Sequence, residues 1–319
     1  MRKALICGIS GQDGAYLAKF LIDKGYEVWG TSRDAQIARF ENLECLGIRH
    51  QVHVLSMAQS DFRSVLNTLS RSNPDEIYFL SGQSSVGLSF DQPAESIESM
   101  TLGTLNLLEA VRFLDKPTRI YHASSSECFG DVAPSALANE YTPFRPRSPY
   151  GVAKASAHWL VTNYREAYGL FCCNGILFNH ESPLRPARFV TRKIVSTACR
   201  IAAGSGERLT LGRLDIARDW GWAPDFVDAM WRMLQQEWAD DYVIATGKSH
   251  TLESFVAIVF EQLGLDWRAY VDIDDSLYRP SEILHSVGDP AKAKRVLDWS
   301  PSIPFSYMIE TLISAEKKI

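Results

Sequence analysis

Cysteine is scarce in this chain and irregularly spaced. The 319 residues include six cysteines, at positions 7, 45, 128, 172, 173 and 199, and no two of them form a C-x-x-C pair. This pattern is not typical of a zinc site or of a disulfide framework. We therefore expect no metal centre and a reducing compartment.

Long apolar runs and an excess of positive charge are also missing. The apolar runs are far shorter than the ~20 residues that a membrane-spanning helix needs. The N-terminal MRKALICGISG has an apolar stretch of only about five residues before a glycine-rich turn, which favours a first strand over a signal peptide. The net charge of −5 argues against a nucleic-acid-binding protein with a basic surface. We expect a soluble cytoplasmic protein whose partners include neither nucleic acid nor membrane.

The first half of the chain alternates short apolar runs with amphipathic segments of helical period. Continuous apolar runs are typical of buried parallel strands, so this alternation predicts an α/β fold with a doubly wound parallel sheet. In such sheets the ligand lies beyond the carboxyl ends of the strands. The candidate strands are 4–7, 27–30, 52–55, 76–80, 119–123 and 172–177, and the candidate helices are 13–24, 60–71, 96–114 and 149–168.

The pattern changes after residue 178. Loops rich in Pro, Arg and Gly, such as ESPLRPARF and GRLDIARDWGWAP, separate the remaining candidates, and the tail from 265 reads as irregular. We predict a first domain at 1–178, to which a strand near 242–246 returns, and a smaller mixed domain at 179–319 that covers it. The later candidates are helices at 187–203, 225–238 and 251–263 and a strand at 242–245.

A glycine-rich turn follows the first strand and opens the first helix. It reads Gly8-Ile9-Ser10-Gly11-Gln12-Asp13-Gly14. Glycines at i, i+3 and i+6 permit a tight turn and a close approach of the backbone to a pyrophosphate, which the helix N-terminus also attracts. An ordinary strand-to-helix turn can have similar glycines, but the position after the first strand favours a bound dinucleotide.

The end of the second strand bears on the choice of cofactor. A cofactor with a free ribose 2′-hydroxyl usually meets an acidic residue here, whereas this chain has Ser32 and Arg33. A guanidinium can donate two charge-assisted hydrogen bonds to a phosphate, so the pair favours NADP over NAD. Asp34 could bind the 2′-hydroxyl if the turn is shifted by one residue, and Arg33 could instead be a solvated loop charge.

Tyr150 and Lys154 form a Tyr-x-x-x-Lys pair directly after Ser148-Pro149. Proline favours the first turn of a helix, and the four-residue spacing places both side chains on one face. A lysine ammonium beside a phenol stabilises the phenolate, which predicts a lowered pKa for Tyr150 and a role as a base. Such pairs are also common on surface helices.

The segment 123–127, Ala-Ser-Ser-Ser-Glu, ends a predicted buried strand. A hydroxyl at this edge could bind a substrate oxygen, and the Glu127 carboxylate would lie in the cleft. The serines could instead cap backbone groups, and Glu127 could simply be exposed.

Together these segments resemble the extended short-chain dehydrogenase/reductase superfamily, and within it the chain resembles the GDP-mannose 4,6-dehydratase family. The resemblance covers essentially the whole chain in matching order, and the Gln-Asp of the glycine turn and the FNHES string are its most specific parts. It rests on GISGQDGAYLA, TPFRPRSPYGVAKASAHW, NYREAYGLFCCNGILFNHES, FVTRKI, ARDWGWAPDFVDAMW and YRPSE.

The resemblance implies an NADP-binding first domain, a GDP-sugar-binding second domain and three sets of site residues. The catalytic set is Ser125, Glu127, Tyr150 and Lys154. The implied cofactor-binding residues are Gly8, Ile9, Ser10, Gly11, Gln12, Asp13, Gly14, Ser32, Arg33, Ser56, Met57, Leu80, Ser81, Gly82, Gln83, Ser84, Tyr150, Lys154, His180 and Arg185. The implied GDP-sugar-binding residues are Ser85, Asn179, Val190, Lys193, Gly212, Arg218, Arg279 and Glu282.

Several positions depart from the family pattern. The family usually has an Asp that helps to hold the adenine after the third strand, where this chain has Ser56 and Met57. The segment after Arg33 is short and lacks the usual Arg- and Ser-rich loop, which contributes to tetramer contacts in relatives. These departures bear on cofactor affinity, sugar identity and assembly, but they leave the catalytic set intact. The other departures are Leu184 in place of the first Arg of the family's Arg-Arg pair, Ile283-Leu284 in place of Val-Asp, and Cys128 in place of Leu or Met.

The resemblance implies NADP-dependent dehydration of GDP-mannose or of a close manno-configured GDP-sugar such as GDP-manno-heptose. It also implies a homodimer or homotetramer that pairs through the helices at 96–114 and 149–168. Two alternatives stay open at this stage. One is a GDP-4-keto-6-deoxyhexose reductase or an epimerase on the same scaffold, and the other is a catalytically idle nucleotide-binding protein.

Overall fold

A parallel seven-stranded sheet forms the centre of the protein in a computed structural model, which describes residues 1–133 and 135–318. Its spatial order is β3-β2-β1-β4-β5-β6-β10, and every neighbouring pair is parallel. This order confirms the predicted doubly wound α/β fold. The strands are β1 (Lys3–Cys7), β2 (Glu27–Ser32), β3 (Val52–Ser56), β4 (Glu76–Phe79), β5 (Arg119–Ser125), β6 (Cys172–Leu177), β7 (Asn179–Glu181), β8 (Leu209–Leu211), β9 (Ala217–Trp222), β10 (Asp241–Ile244), β11 (Ser249–Thr251) and β12 (Val271–Ile273).

Helices cover both faces of this sheet because its strands are apolar on both sides. One face packs against α3, α6 and α7, and the other against α1, α9 and α11. Among the described residues, none of the helices is both long and apolar enough to cross a membrane. The helices are α1 (Gln12–Asp23), α2 (Glu41–Cys45), α3 (Phe62–Ser72), α4 (Val86–Asp91), α5 (Pro93–Ile97), α6 (Gly103–Leu114), α7 (Pro149–Tyr168), α8 (Val190–Ala202), α9 (Ala223–Leu234), α10 (Leu252–Gln262), α11 (Ala291–Leu297) and α12 (Phe305–Glu316).

Two small sheets lie in the C-terminal part of the chain. The first has the order β11-β9-β7, and the second pairs β8 with β12. They share a separate apolar cluster with α8, α10 and α12. β6 and β7 are separated only by Phe178, and β10 pairs with β6 at the edge of the large sheet. The division into domains at 178–179 remains a prediction.

The predicted strands of the large sheet match the observed ones to within two residues at each end, and α7 covers the predicted 149–168. The prediction of an irregular tail after 265 was wrong, because β12, α11 and α12 form there. Met308, Ile309 and Leu312 of α12 are buried in the apolar cluster with α8 and α10. β12 has three residues and α11 has seven, so neither gives a long periodic signal in the sequence.

The prediction of a loop across GRLDIARDWGWAP was also wrong at its centre, where β9 forms. Arg218 and Asp219 of this strand are buried despite their charge. Asp219 accepts hydrogen bonds from Thr246 N (2.9 Å) and Gly247 N (3.0 Å), which compensates for its burial. Because β9 contains charged residues, it lacks the continuous apolar run that predicts a buried strand, and it was therefore missed in the sequence.

Candidate active site

The carboxyl ends of β4, β5 and β6 open into one cleft of about 460 Å³, which Asp13 at the start of α1 also lines. Its opposite wall is formed by β7, the start of α8, β9 and the segment 277–282. Among the residues predicted from the sequence, those that line it are Asp13, Leu80, Gly82, Gln83, Ser84, Ser85, Ser125, Glu127, Tyr150, Lys154, Asn179, His180, Arg185, Val190, Lys193, Gly212, Arg218, Arg279 and Glu282.

The glycine turn brings the start of α1 against the loop after β4. Gly8 has a φ of +88°, and a Cβ there would lie 3.1 Å from Ser81 N. A Cβ at Gly14 would lie 2.7 Å from Ile9 Cα, so both positions need glycine. Gly11 precedes α1 without a side-chain cap. The first N–H groups of α1 have no helical partners, which suits an anionic ligand at this strand edge.

These features fit a dinucleotide. The turn provides a glycine-lined approach to a helix N-terminus, and the buried Ser81 hydroxyl has no hydrogen-bond partner among the described residues. A buried hydroxyl without a partner is costly in the protein alone, and it is a ready contact for a bound polar group. Ser81 lies outside the cleft lining, close to Gly8.

An ion pair joins the glycine turn to β7. His180 Nε2 is 2.9 Å from Asp13 Oδ2, and His180 Nδ1 is 2.7 Å from Phe178 O. Burial opposes ionisation of both groups, but their mutual attraction outweighs it, so the pKa of Asp13 is lowered and that of His180 is raised. Gln12 accepts a hydrogen bond from Ser182 Oγ at 2.7 Å. These contacts fix the start of α1 against β7.

The ends of β2 and β3 hold the residues predicted for the adenosine end of the cofactor. Ser32 and Ser56 are register partners. Arg33 is 86% exposed, and its Nη1 lies 3.8 Å from Glu95 Oε1. Ser56 Oγ accepts a hydrogen bond from Ala35 N (3.0 Å), and Met57 is buried in the core.

The turn after β5 places a carboxylate in the cleft. Ser125 Oγ accepts a hydrogen bond from Glu127 N at 3.2 Å and thereby caps the short turn Ser126–Cys128. A Cβ at Gly151 would lie 2.9 Å from Glu127 O. Glycine at 151 therefore lets the start of α7 approach this turn closely.

α7 begins as its sequence predicts. Ser148 Oγ accepts a hydrogen bond from Gly151 N (3.0 Å), and Pro149 occupies the first turn. Tyr150 and Lys154 then face the cleft, with Lys154 Nζ 6.0 Å from the centre of the Tyr150 ring. Lys154 Nζ donates a hydrogen bond to Ala123 O at 2.7 Å.

The expected lowering of the Tyr150 pKa is wrong for the protein alone. Burial raises the pKa of Tyr150, and a hydrogen bond with the Ser125 hydroxyl only partly opposes it. Burial also lowers the pKa of Lys154 to about 8, so the lysine is a weaker source of positive charge than the sequence suggests. The spacing of the pair is visible in the sequence, but its desolvation is not.

Glu127 lies among charges of both signs. Burial raises its pKa, although the Arg218 and Arg279 guanidinium groups oppose the rise. Glu282 Oε1 accepts hydrogen bonds from Arg218 Nη2 (2.9 Å) and Arg279 Nη1 (3.2 Å). A carboxyl with a raised pKa in a cleft is suited to both taking and giving a proton.

Sequence reasoning missed a buried polar network behind the site. His158 follows Lys154 by one helical turn, and its ring nitrogens lie 3.2 Å from Ser124 Oγ and 3.5 Å from Asp241 Oδ2. Burial lowers the pKa of His158 to about 4. Arg165 donates to Asp241 at 2.8 Å, so the network ties α7 to β5 and β10. In the sequence, His158 could have been found from its spacing, because Tyr150, Lys154 and His158 lie at i, i+4 and i+8 of one helix.

Comparisons with known proteins are consistent with this geometry. The GDP-mannose 4,6 dehydratase family model matches residues 5–312. "GDP-mannose 4,6 dehydratase 2" of Arabidopsis thaliana is 45% identical over 99% of this chain and 87% of its own length. "GDP-mannose 4,6-dehydratase" of Vibrio cholerae is 40% identical over 100% of this chain and 94% of its own length.

A solved structure has the same fold. The UDP-glucose 4-epimerase of Thermus thermophilus, in complex with NAD, has a TM-score of 0.86 and 25% identity, and the match covers 99% of each chain. The family model and the relatives confirm the family predicted from the sequence. The chain belongs to the GDP-mannose 4,6-dehydratase family.

Proposed function

We propose that this protein is a nucleotide-sugar 4,6-dehydratase that converts GDP-mannose, or a close manno-configured GDP-sugar, to the 4-keto-6-deoxy sugar and water. The observation that carries the proposal is the convergence of Ser125, Glu127, Tyr150 and Lys154 on one cleft. The names of the relatives at 40–45% identity support the same reaction.

Tyr150 and Ser125 act on the C4 oxygen in this proposal. Tyr150, as the phenolate, removes the C4 hydroxyl proton, and Ser125 donates a hydrogen bond to the oxygen that becomes the ketone. When bound, an oxidised nicotinamide would supply positive charge that favours the phenolate, and a reversible hydride acceptor for the oxidation at C4 and the reduction at C6. Lys154 holds the nicotinamide ribose and stabilises the phenolate. The protein alone favours the phenol, so phenolate formation depends on a filled site.

Glu127 acts on C5 and C6 in this proposal. The C4 ketone acidifies the C5 proton, Glu127 removes this proton, and the same carboxyl protonates the C6 hydroxyl as it leaves as water. A carboxyl that first accepts and then donates a proton works best when its pKa lies close to the operating pH, and burial moves Glu127 in that direction. The proton that Tyr150 took from the C4 hydroxyl goes to C5 when C6 regains the stored hydride, so Tyr150, Glu127 and the cofactor would all end each turnover in their starting states.

The second wall of the cleft supplies the cations that a GDP-sugar needs. Lys193, Arg218 and Arg279 all line it, and Glu282 lies between the two arginines. Charge-assisted hydrogen bonds from such groups suit a diphosphate. The Glu282 carboxylate is suited to the ribose hydroxyls once the arginines turn to the phosphates.

The substrate test compares the loss of water from two GDP-sugars. Purified protein with its cofactor is incubated with GDP-mannose and, separately, with GDP-manno-heptose, and the loss of one water from each is followed by mass spectrometry. A faster loss from one sugar identifies the preferred substrate class. No loss from either sugar contradicts the proposed function.

The cofactor is a nicotinamide dinucleotide, and we propose that it is NADP. Arg33 is well exposed at the end of β2, where a 2′-phosphate would lie. Asp34, the alternative contact for a 2′-hydroxyl, already accepts a hydrogen bond from Gln36 N at 2.9 Å.

Replacing Arg33 with alanine is expected to weaken NADP binding by about tenfold or more, because an arginine–phosphate contact contributes at least ~1.4 kcal/mol. NAD binding is expected to stay the same, since NAD has no 2′-phosphate. Calorimetric titration of both cofactors against the wild type, Arg33→Ala and the exposed control Arg71→Ala measures both effects. Equal affinity of the wild type for NADP and NAD would contradict the prediction.

We propose a homodimer as the smallest assembly, with a tetramer less favoured because the segment after Arg33 is short. Val152 and Trp159 lie seven positions apart on α7 and are 44% and 59% exposed. Leu102 and Phe113 are likewise exposed along α6 and the turn before it. Such apolar helix faces are typical of an isologous interface between two copies.

Light scattering is expected to give at least twice the 35.8 kDa chain mass. Trp159→Glu is expected to shift the protein toward the monomer, because it places a charge in the interface. Trp238→Glu is the matched control, since Trp238 is 75% exposed just after α9. A wild-type protein that scatters only as a monomer would exclude the dimer.

A further inference from the structure

Most cations of the cleft are already paired with a carboxylate. Arg185 Nε lies 3.3 Å from Glu181 Oε2. Arg218 and Arg279 both bind Glu282. Of the other cations in the cleft, Arg213 pairs with Asp215. Lys154 and Lys193 donate hydrogen bonds to the carbonyl groups of Ala123 and Thr210.

Among the arginines that line the cleft, Arg188 alone has no carboxylate partner in the described part of the chain. It lines the cleft, but it forms no ion pair with any residue of 1–133 or 135–318. One N–H of its guanidinium, at Nη2, donates to Ser84 Oγ at 3.1 Å, and its guanidinium carbon lies 5.2 Å from the centre of the Phe189 ring. The other N–H groups of the fork have no protein partner in the described chain, so they are free for an anion.

The contact with Ser84 crosses the cleft. Ser84 belongs to the loop after β4, whereas Arg188 precedes α8 on the opposite wall. Arg188 therefore bridges the two walls, and in the sequence it stands between Arg185, which is predicted to bind the cofactor, and Val190, which is predicted to bind the substrate. α8 begins at Val190 without a side-chain cap, so its positive end adds to the field there.

We propose that Arg188 binds the sugar-proximal phosphate of the nucleotide sugar, and that Ser84 holds its guanidinium across the cleft. This inference rests on the proposed function. A planar guanidinium with free donors is suited to a phosphate, which can accept two parallel hydrogen bonds. With Arg218 and Arg279 turned to the phosphates, Glu282 binds the ribose hydroxyls, and Tyr150 and Glu127 act on the reacting carbons. The diphosphate must therefore span the region between them.

Calorimetric titration with GMP, GDP and GDP-mannose tests the position of this contact. Arg188→Gln is expected to weaken the binding of GDP and of GDP-mannose by the same factor, about tenfold or more, and to leave the binding of GMP unchanged. GMP lacks the second phosphate, so it reports on every contact except the proposed one. Arg188→Lys is expected to restore part of the loss, since it keeps the charge but not the fork. Ser84→Ala is expected to cause a smaller loss of the same kind.

Arg200→Gln is the matched control, because Arg200 pairs with Glu207 on the exposed side of α8. It should leave all three affinities unchanged. A loss for GMP as well, a loss for GDP-mannose alone, or no loss in Arg188→Gln would each contradict the inference. If the wild type dehydrates GDP-mannose and Arg188→Gln binds GDP normally, the inference fails and the proposed function stands. If the wild type binds neither GDP nor GDP-mannose, both fail.

Discussion

The Tyr150→Phe variant is expected to lose every chemical step, including the first. Phenylalanine cannot accept the C4 hydroxyl proton, so the C4 hydride cannot leave and no reduced nicotinamide should form on mixing with substrate. The rate of dehydration should fall by at least ~10², the usual scale for a lost general base. Stopped-flow absorbance of the reduced nicotinamide measures the first step, and mass spectrometry of the product measures the whole reaction.

Two controls separate chemistry from folding in this variant. Tyr168→Phe makes the same change at the exposed end of α7 and should leave both signals intact. Cofactor and GDP should bind to Tyr150→Phe within a few-fold of the wild type, since the aromatic ring remains. A transient of reduced nicotinamide in Tyr150→Phe at the wild-type rate would remove Tyr150 from the proposed role.

The Glu127→Gln variant is expected to separate the two halves of the reaction. Glutamine keeps the size of the side chain and its capacity for hydrogen bonding, but it cannot take the C5 proton. Oxidation at C4 should therefore continue and reduced nicotinamide should accumulate, while loss of water falls by ~10² or more. The same stopped-flow and mass-spectrometric measurements resolve both effects.

The alternative interpretation of Glu127 is a structural carboxylate at the end of a strand. In that case, Glu127→Gln would dehydrate GDP-mannose at close to the wild-type rate, which would remove the main chemical support for a dehydratase. Glu166→Gln, on the exposed side of α7, is the matched control and should behave as the wild type.

The parts of the site that local sequence determines were predictable. The glycine turn and the Ser148-Pro149 start of α7 depend on backbone conformations that a few adjacent residues set. The four-residue spacing of Tyr150 and Lys154 likewise becomes a shared face as soon as a helix forms. These features let the sequence identify the fold and propose the catalytic set.

The parts that depend on distant partners were not predictable. The contact of Arg188 with Ser84 joins residues 104 positions apart, and the Asp13–His180 pair joins residues 167 apart. Burial dominates the pKa of Tyr150, and burial is a property of the assembled cleft. β9 was missed for the same reason, since the groups that neutralise Arg218 and its neighbour come from other segments.

The central claim is dehydration without net oxidation, and mass spectrometry combined with nicotinamide absorbance tests it most directly. The purified protein with catalytic NADP is incubated with GDP-mannose. The account predicts a product lighter by one water, formed over many turnovers, with no net change in reduced nicotinamide. A sugar nucleotide of unchanged mass, with GDP-mannose and with GDP-manno-heptose alike, would contradict the account, and so would a product whose formation consumes one reduced cofactor per turnover, as a reductase requires.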